Sequence, residues 1–318
     1  MLQGDQRLET SVSGFPSGRG RATIEAMIDS FSAEEVSSFD RDGFLIIEQD
    51  FISEETVMML RERFDELFSG QYATGIAPDE VNWVRGRDPE TKTRQICNGW
   101  KADDLIAAQV LSEQSGRLAA QLAGWDGVRI VHDNCLWKPP GARTLGMHQD
   151  GSYAGYVDPA EMITVWVALD QTFAQSGTIE YVAGSHKWPK MPPSRGDFHD
   201  PDDWLAPANE AAPEGASTER TPVVVQPGGA AIHHSRVFHG SGINEAEIDR
   251  RALVTHMIPS TAQFDPVGAD PIYTRYRRRD EMTMDESYFP ILWDKAGKRS
   301  AWLSSLPQLP GAIAAGSA

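Results

Sequence analysis

From residue 127 onward the chain reads as a series of short strands with no helical period between them, and this feature most constrains its fold. Residues 162–169 set the pattern. Ile163, Val165, Val167 and Leu169 alternate with Thr164, Trp166 and Ala168, so one face is aliphatic and the other mixed. Residues 128–138 are β-rich and stop at Pro139-Pro140. Residues 221–226 predict another strand, closed by the turn signal Pro227-Gly228-Gly229. Residues 230–234 and 251–258 predict two more. Short strands in succession, without alternating helices, specify an antiparallel barrel or sandwich rather than a parallel α/β sheet.

Helices are confined to the N-terminal part. Ser32 and Glu35 have the spacing of a capping box. Ser53 precedes Glu54 and Glu55, which suit a helix N-terminus. Val57, Leu60, Phe64 and Leu67 then form one amphipathic stripe. A short buried strand is expected over 43–47, and a third helix over 102–122 that stops at Gly124. The expected organisation is one domain over 21–310, mainly β with N-terminal helices. It comprises a helical layer (21–125), a β-barrel core (126–260) and a C-terminal extension (261–310). Residues 1–20 read as a disordered arm. A segment rich in Pro, Asp, Ala and Glu, residues 192–222, reads as an insertion, either a solvated loop or a lid. In the extension, Tyr288, Phe289, Trp293 and Trp302 are expected to pack; the final GAIAAGSA is not.

Composition narrows the function. The chain has 318 residues, enough to bury a sizeable core. It lacks the run of about 18 apolar residues that a membrane span needs, and its N-terminus lacks the apolar segment of a secretory signal. Two cysteines, Cys97 and Cys135, make no disulfide framework, so a cytoplasmic location is expected. The net charge of −17 repels nucleic acid on average, and the one basic run, Arg275-Tyr276-Arg277-Arg278-Arg279, reads as a solvated turn. The acidity favours a neutral or cationic small substrate over a large anionic one such as a coenzyme A thioester.

The chemistry-bearing stretch is GMHQDGSYAGY, residues 146–156. On a strand, His148 and Asp150 point the same way and Gln149 points away. A third ligand must come from another strand. IHHSRVFHGSG, residues 232–242, offers His233, His234 and His239. Two histidines and one carboxylate on one face of an octahedral ion leave three positions open, which suits ferrous oxygenases.

Four stretches carry a resemblance: DGFLIIEQDFISEE, WKPPGARTLGMHQDGSY, WVALDQTFAQSGTIEYVAGSHKW and QPGGAAIHHSRVFHGSGINEAEIDRRAL. In this order, over roughly residues 32–258, they resemble the phytanoyl-CoA dioxygenase family of iron(II)/2-oxoglutarate oxygenases. The resemblance implies a double-stranded β-helix, one Fe(II) and 2-oxoglutarate as cosubstrate. It makes His148, Asp150 and His239 the iron ligands; His239 lies eleven residues before Arg250, which is the family spacing. It assigns Arg250 to the far carboxylate of 2-oxoglutarate, with the Ser241 hydroxyl as a second donor, and places Trp166 and Asn134 in the same pocket. An arginine fork suits this task because it binds a carboxylate through two parallel bonds. Arg251 is then left for a surface ion pair. Gln149 and Tyr153 flank the metal residues as candidate substrate contacts. His132 shares the alternation phase of Asn134 and reads equally as a pocket or a core histidine. His233 and His234 read as a strand pair, one inward and one outward, and Gly184-Ser185-His186 as a structural turn.

The implied reaction is hydroxylation of a small organic molecule by O2, with release of succinate and CO2. The substrate would be a secondary metabolite or an amino-acid-like compound. No nucleic-acid or membrane partner is expected. Desaturation, epimerisation or ring formation on the same scaffold, or a non-catalytic ligand-binding barrel, are the alternatives.

Overall fold

The structure, a computed structural model, describes residues 28–48, 50–189 and 199–311. The expectations for the N-terminal arm and for the residues after Gly311 lie outside them. The N-terminal layer holds α1 (Ala33–Asp42), β1 (Phe44–Ile47), α2 (Glu54–Phe68), β2 (Glu80–Val81), β3 (Arg94–Cys97), α3 (Asp104–Val110) and α4 (Glu113–Ala123). The strand-rich part follows as β4 (Gly127–Lys138), β5 (Leu145–His148), β6 (Val157–Asp158), β7 (Ile163–Ala168), β8 (Ile179–Val182) and α5 (Ala206–Ala211). It continues as β9 (Arg220–Pro222), β10 (Ala230–His234), β11 (His239–Ser241), β12 (Arg250–Pro259), β13 (Gln263–Phe264) and β14 (Ile291–Asp294).

Two antiparallel sheets make the core. The larger runs β1-β10-β7-β12-β4-β3-β2, with β14 added to β4. The smaller runs β5-β11-β8-β9. The runs β1-β10-β7-β12-β4 and β5-β11-β8 join strands that are distant in sequence, as the double-stranded β-helix expected from the sequence requires. The alternation along β7 assigns the two faces of the larger sheet. Ile163, Val165, Val167 and Leu169 pack with Leu60, Phe64 and Leu118 of the helical layer. Trp166 and Ala168 face the other way, into a second cluster with Ile179 and Tyr181 of the smaller sheet. Each large side chain buried this way contributes about 1.5–3 kcal/mol. The helices therefore back the larger sheet and leave the space between the sheets for a site.

Caps fix the ends of the elements. The Ser32–Glu35 capping box is present in both directions. Gly43 ends α1 in the left-handed region, with φ 84°, and a Cβ there would press into the His186 ring. His186 itself reaches the Asp40 carbonyl (3.2 Å), and the Ser185 hydroxyl donates to the Val182 carbonyl (2.6 Å). This stretch is the structural turn that its sequence indicated. Gly43→Ala combines a strained φ with a steric clash, so it is expected to cost about 1–3 kcal/mol. A drop of several degrees in thermal denaturation checks it.

Four expectations are corrected. The third helix is two, α3 and α4. Ser112 adopts an extended conformation and its hydroxyl accepts from the Ser115 backbone N–H at 3.2 Å, so it caps a new helix instead of continuing the old one. The strand over 221–226 pairs with β8 only as Arg220–Pro222; beyond it, Val225 exchanges hydrogen bonds with Thr172 of a loop. The described part of the insertion is more than a plain loop. It carries α5, and Trp204 and Ala208 pack with Met147, Val182 and Phe238, while the Trp204 carbonyl accepts from the Met147 N–H (2.7 Å). In the extension, Phe289 is buried, Trp302 stacks on Trp100 and β14 joins the larger sheet, but Tyr288 is exposed and stacks on Tyr276.

Candidate active site

The open end of the two sheets brings His148, Asp150 and His239 together. His148 and His239 are cross-strand partners on β5 and β11. Asp150 begins the short 3-10 turn that follows β5. One ligand atom from each of the three lies within 4.8 Å of the others. The Nε2 atoms of His148 and His239 stand 3.7 and 3.4 Å from Asp150 Oδ1.

Their neighbours orient them for a cation. His148 Nδ1 faces the Gly146 carbonyl (2.8 Å) and His239 Nδ1 faces the Val237 carbonyl (3.1 Å). A carbonyl can only accept, so both Nδ1 atoms carry the proton and both Nε2 atoms turn toward Asp150 Oδ1. Asp150 Oδ2 is held from behind by the Thr164 hydroxyl (2.7 Å) and by His233 Nε2 (3.1 Å). Asp150 Oδ1 is left for the ion. Burial alone would raise the Asp150 pKa, but His239, His256 and the His233 bond hold it well below the carboxylate range. Burial and the nearby His239 push His148 down to about 3, so its ring is neutral near pH 7. Two neutral-capable imidazoles and one carboxylate fit a ferrous ion.

Thr164 belongs to a longer chain of bonds. Asn134 Oδ1 accepts from Gln95 (3.0 Å), so its Nδ2 donates to His256 Nε2 (3.1 Å). His256 Nδ1 then donates to the Thr164 oxygen (3.0 Å), which donates to Asp150. Removing an outer partner of a metal ligand typically costs 10–100-fold in metal affinity. Thr164→Val keeps the shape and loses the bond. It is expected to weaken metal binding by about that factor, measured by titration with Co(II) or Mn(II).

A second polar group lies beside the triad. Arg250 is 2% exposed and donates to the Gly177 carbonyl (3.0 Å), but its Nε has no partner. Lys138, its cross-strand partner on β4, is also fully buried and donates to Ser241 Oγ (2.8 Å) and the Gly242 carbonyl. Among the described residues neither cation has a carboxylate partner. Burial pushes Arg250 down to about 10, still charged near pH 7. Burial, and then the charge of Arg250, lower Lys138 well below its usual range. A buried guanidinium without a counter-charge calls for an anion. The far carboxylate of 2-oxoglutarate fits that demand.

The triad, Arg250 and Ser241 open on one cavity of about 460 Å³. Trp166, Asn134, His132 and Tyr153 line it. Gln149 does not: it is 2% exposed and its amide donates to the Arg236 carbonyl, so it braces the turn rather than touching a ligand. His233 faces inward, and His234 lies outside against His186. Arg251 pairs with Asp170 through two bonds of 3.0 Å, half-buried rather than on the open surface. None of the described residues of the 192–222 insertion lines the cavity; Asp270, Pro271, Ile272 and Tyr273 of the C-terminal extension do. Sequence reasoning missed Thr164, His233 and His256 as supports of Asp150, and Lys138 beside Arg250. The signal for His256 was present, since it shares the inward phase of Arg250 and Val254 along β12.

The family profile of phytanoyl-CoA dioxygenase (PhyH) matches residues 39–252. The chain belongs to the phytanoyl-CoA dioxygenase family. It is an iron- and 2-oxoglutarate-dependent dioxygenase. A probable alpha-ketoglutarate-dependent hypophosphite dioxygenase of Stutzerimonas stutzeri is 27% identical, over 70% of this chain and 77% of that protein. The multifunctional dioxygenase prhA of Penicillium brasilianum is 25% identical, over 69% and 70%. Among solved structures, the non-heme alpha ketoglutarate dependent carbocyclase SnoK from nogalamycin biosynthesis superposes with a TM-score of 0.63 at 22% identity, covering 86% of this chain and 99% of that one. EctD from S. alaskensis, solved with 2-oxoglutarate and 5-hydroxyectoine, gives 0.60 at 20%, over 84% and 89%. These two show the shared fold. No helix among the described residues is long and apolar enough to cross a membrane.

Proposed function

We propose that this chain hydroxylates a small organic molecule, a secondary metabolite or an amino-acid-like compound, consuming 2-oxoglutarate and O2 and releasing succinate and CO2. The observation that carries this reading is the pairing of two unlike sites in one cavity. One is a triad whose ligand atoms lie within 4.8 Å of one another; the other is the buried Arg250 guanidinium, which has no carboxylate partner among the described residues. Iron held by His148, Asp150 and His239 supplies the oxidising chemistry when bound. Arg250 and Ser241 bind and orient the far carboxylate of the cosubstrate. Lys138 donates to Ser241, which leaves the Ser241 proton free for that carboxylate. Trp166, buried under the Arg250 guanidinium at 5.9 Å, closes the pocket to water. Asn134 and His256 hold Thr164, and through it Asp150. Tyr153 and His132 face the substrate.

We further propose that residues 21–310 act as one oxygenase domain in a reducing cytoplasm, where Cys97 and Cys135, both buried and free, stay as thiols. The test is a succinate-release screen over small-molecule classes, with mass spectrometry of the product. A gain of one oxygen supports hydroxylation. Loss of two hydrogens points to desaturation or to the ring closure that the name of SnoK describes, and an unchanged mass with inverted configuration to epimerisation. No succinate with any class, from protein that binds iron and 2-oxoglutarate, supports the non-catalytic barrel.

A further inference from the structure

The cavity continues outward from the triad and Arg250 to a wall built by Tyr153, Tyr156, Tyr273, Glu80 and Asp270. The charges of this outer part are all of one sign. Glu80 is exposed, and its carboxylate accepts from the Cys97 thiol at 3.6 Å. Asp270 uses Oδ1 to accept from the backbone N–H groups of Ile272 (2.7 Å) and Tyr273 (2.9 Å), so Oδ2 is left for a ligand. Among the described residues no lysine or arginine pairs with either carboxylate. Arg250 is the one lysine or arginine that lines the cavity, and the cosubstrate takes it. The basic run that follows does not help: none of Arg275, Arg277, Arg278 and Arg279 lines the cavity, Arg277 donates to the Asp265 carbonyl and Arg278 pairs with Asp285. His132, the histidine of the outer part, is kept neutral by burial beside His256.

The rest of the wall is aromatic. Tyr273 stacks on His132 (4.6 Å) and on Tyr156 (5.5 Å). Tyr156 is 2% exposed and its hydroxyl has no partner, an unmet polar group beside the cavity. Asp270 and Tyr273 lie beyond residue 252, where the match to the family ends, so these two members of the wall come from the chain's own extension, while Glu80, Tyr153 and Tyr156 lie within the match. Aromatic faces and carboxylates attract the same kind of group. The charge of −17 on the whole chain enriches cations at such a mouth.

We infer that the substrate is a small organic cation, an amine or ammonium compound whose charge is met by Glu80, Asp270 and the tyrosine faces. A coenzyme A thioester, with its phosphates, finds no counter-charge in this wall. The inference rests on the reading of the cavity as an oxygenase substrate chamber.

Binding is measured by calorimetry on the full chain saturated with 2-oxoglutarate and Zn(II), so that nothing turns over and Arg250 is occupied. The probes are matched triads: benzylammonium, benzyl alcohol and phenylacetate, then choline, 3,3-dimethylbutanol and 3,3-dimethylbutanoate. In at least one triad the cation is expected to bind about tenfold more tightly than its neutral counterpart, and the anion not to bind. The double variant Glu80→Gln, Asp270→Asn, checked for its melting temperature, is expected to bring cation and neutral probe within about twofold. Three results overturn the inference: an anion binding as well as its cation, a preference that survives the double variant, or no cation binding in either triad. Failure of the oxygenase reading appears separately, as protein that takes up neither iron nor 2-oxoglutarate.

Discussion

Replacing any one of His148, Asp150 and His239 with alanine abolishes succinate release and lowers metal affinity by more than about 100-fold, the upper end of what loss of an outer partner costs. The three supply the only ligand atoms that converge among the described residues, and two remaining donors cannot hold an ion on one face. The control is His234→Ala, because His234 lies outside the cavity against His186. His233→Ala is the sharper comparison. His233 is as buried as the ligands and bonds to Asp150 Oδ2, yet its Nδ1 faces the Tyr181 hydroxyl at 2.9 Å. Its loss is expected to weaken metal binding by the 10–100-fold of an orienting partner, and no more. Full metal affinity in His239→Ala, together with its loss in His233→Ala, would mean that the distal ligand has been misassigned. Metal titration separates the outcomes, and thermal denaturation shows whether each variant folds.

The site was legible where periodicity and spacing act over a few residues. The alternation along residues 163–169 placed Thr164 and Trp166 on one face, and that face is the one turned to the cavity. The phase of His132 and Asn134 was right for the same reason, and the capped starts of α1 and α2 were legible because a cap is a local bond. Gln149 was misread because adjacency to a ligand says nothing of direction; the turn at Asp150 points its amide at Arg236. Lys138, Tyr273 and Asp270 were missed because only the folded chain sets a lysine beside an arginine 112 positions later, or brings an extension back over the barrel. The Ser112 break was legible in principle. Ser112-Glu113 repeats the pattern of Ser53-Glu54.

Replacing Arg250 with alanine raises the KM for 2-oxoglutarate by about a hundredfold or more. The guanidinium is buried, its Nε is unpaired and its cross-strand neighbour, Lys138, offers no negative charge. Cosubstrate binding supplies the missing counter-charge. Losing one partner of a buried charge pair costs about 3–5 kcal/mol, and each 1.4 kcal/mol is tenfold. Arg250→Lys keeps the charge but loses the fork, so it recovers part of the affinity. Arg251→Ala provides the contrast. Its neighbour on the strand points the other way, to Asp170, which keeps Arg61 at 3.0 Å when Arg251 is gone. Its loss should lower the melting temperature and leave the KM near the wild-type value. A second readout does not depend on turnover. 2-Oxoglutarate with Zn(II) should raise the melting temperature of the wild type, since a ligand that binds only the folded state stabilises it, and should raise that of Arg250→Ala far less at the same concentration. Equal shifts in the Arg250→Ala and Arg251→Ala variants would mean that β12 sits one residue out of the register described here, with the other arginine facing the cosubstrate.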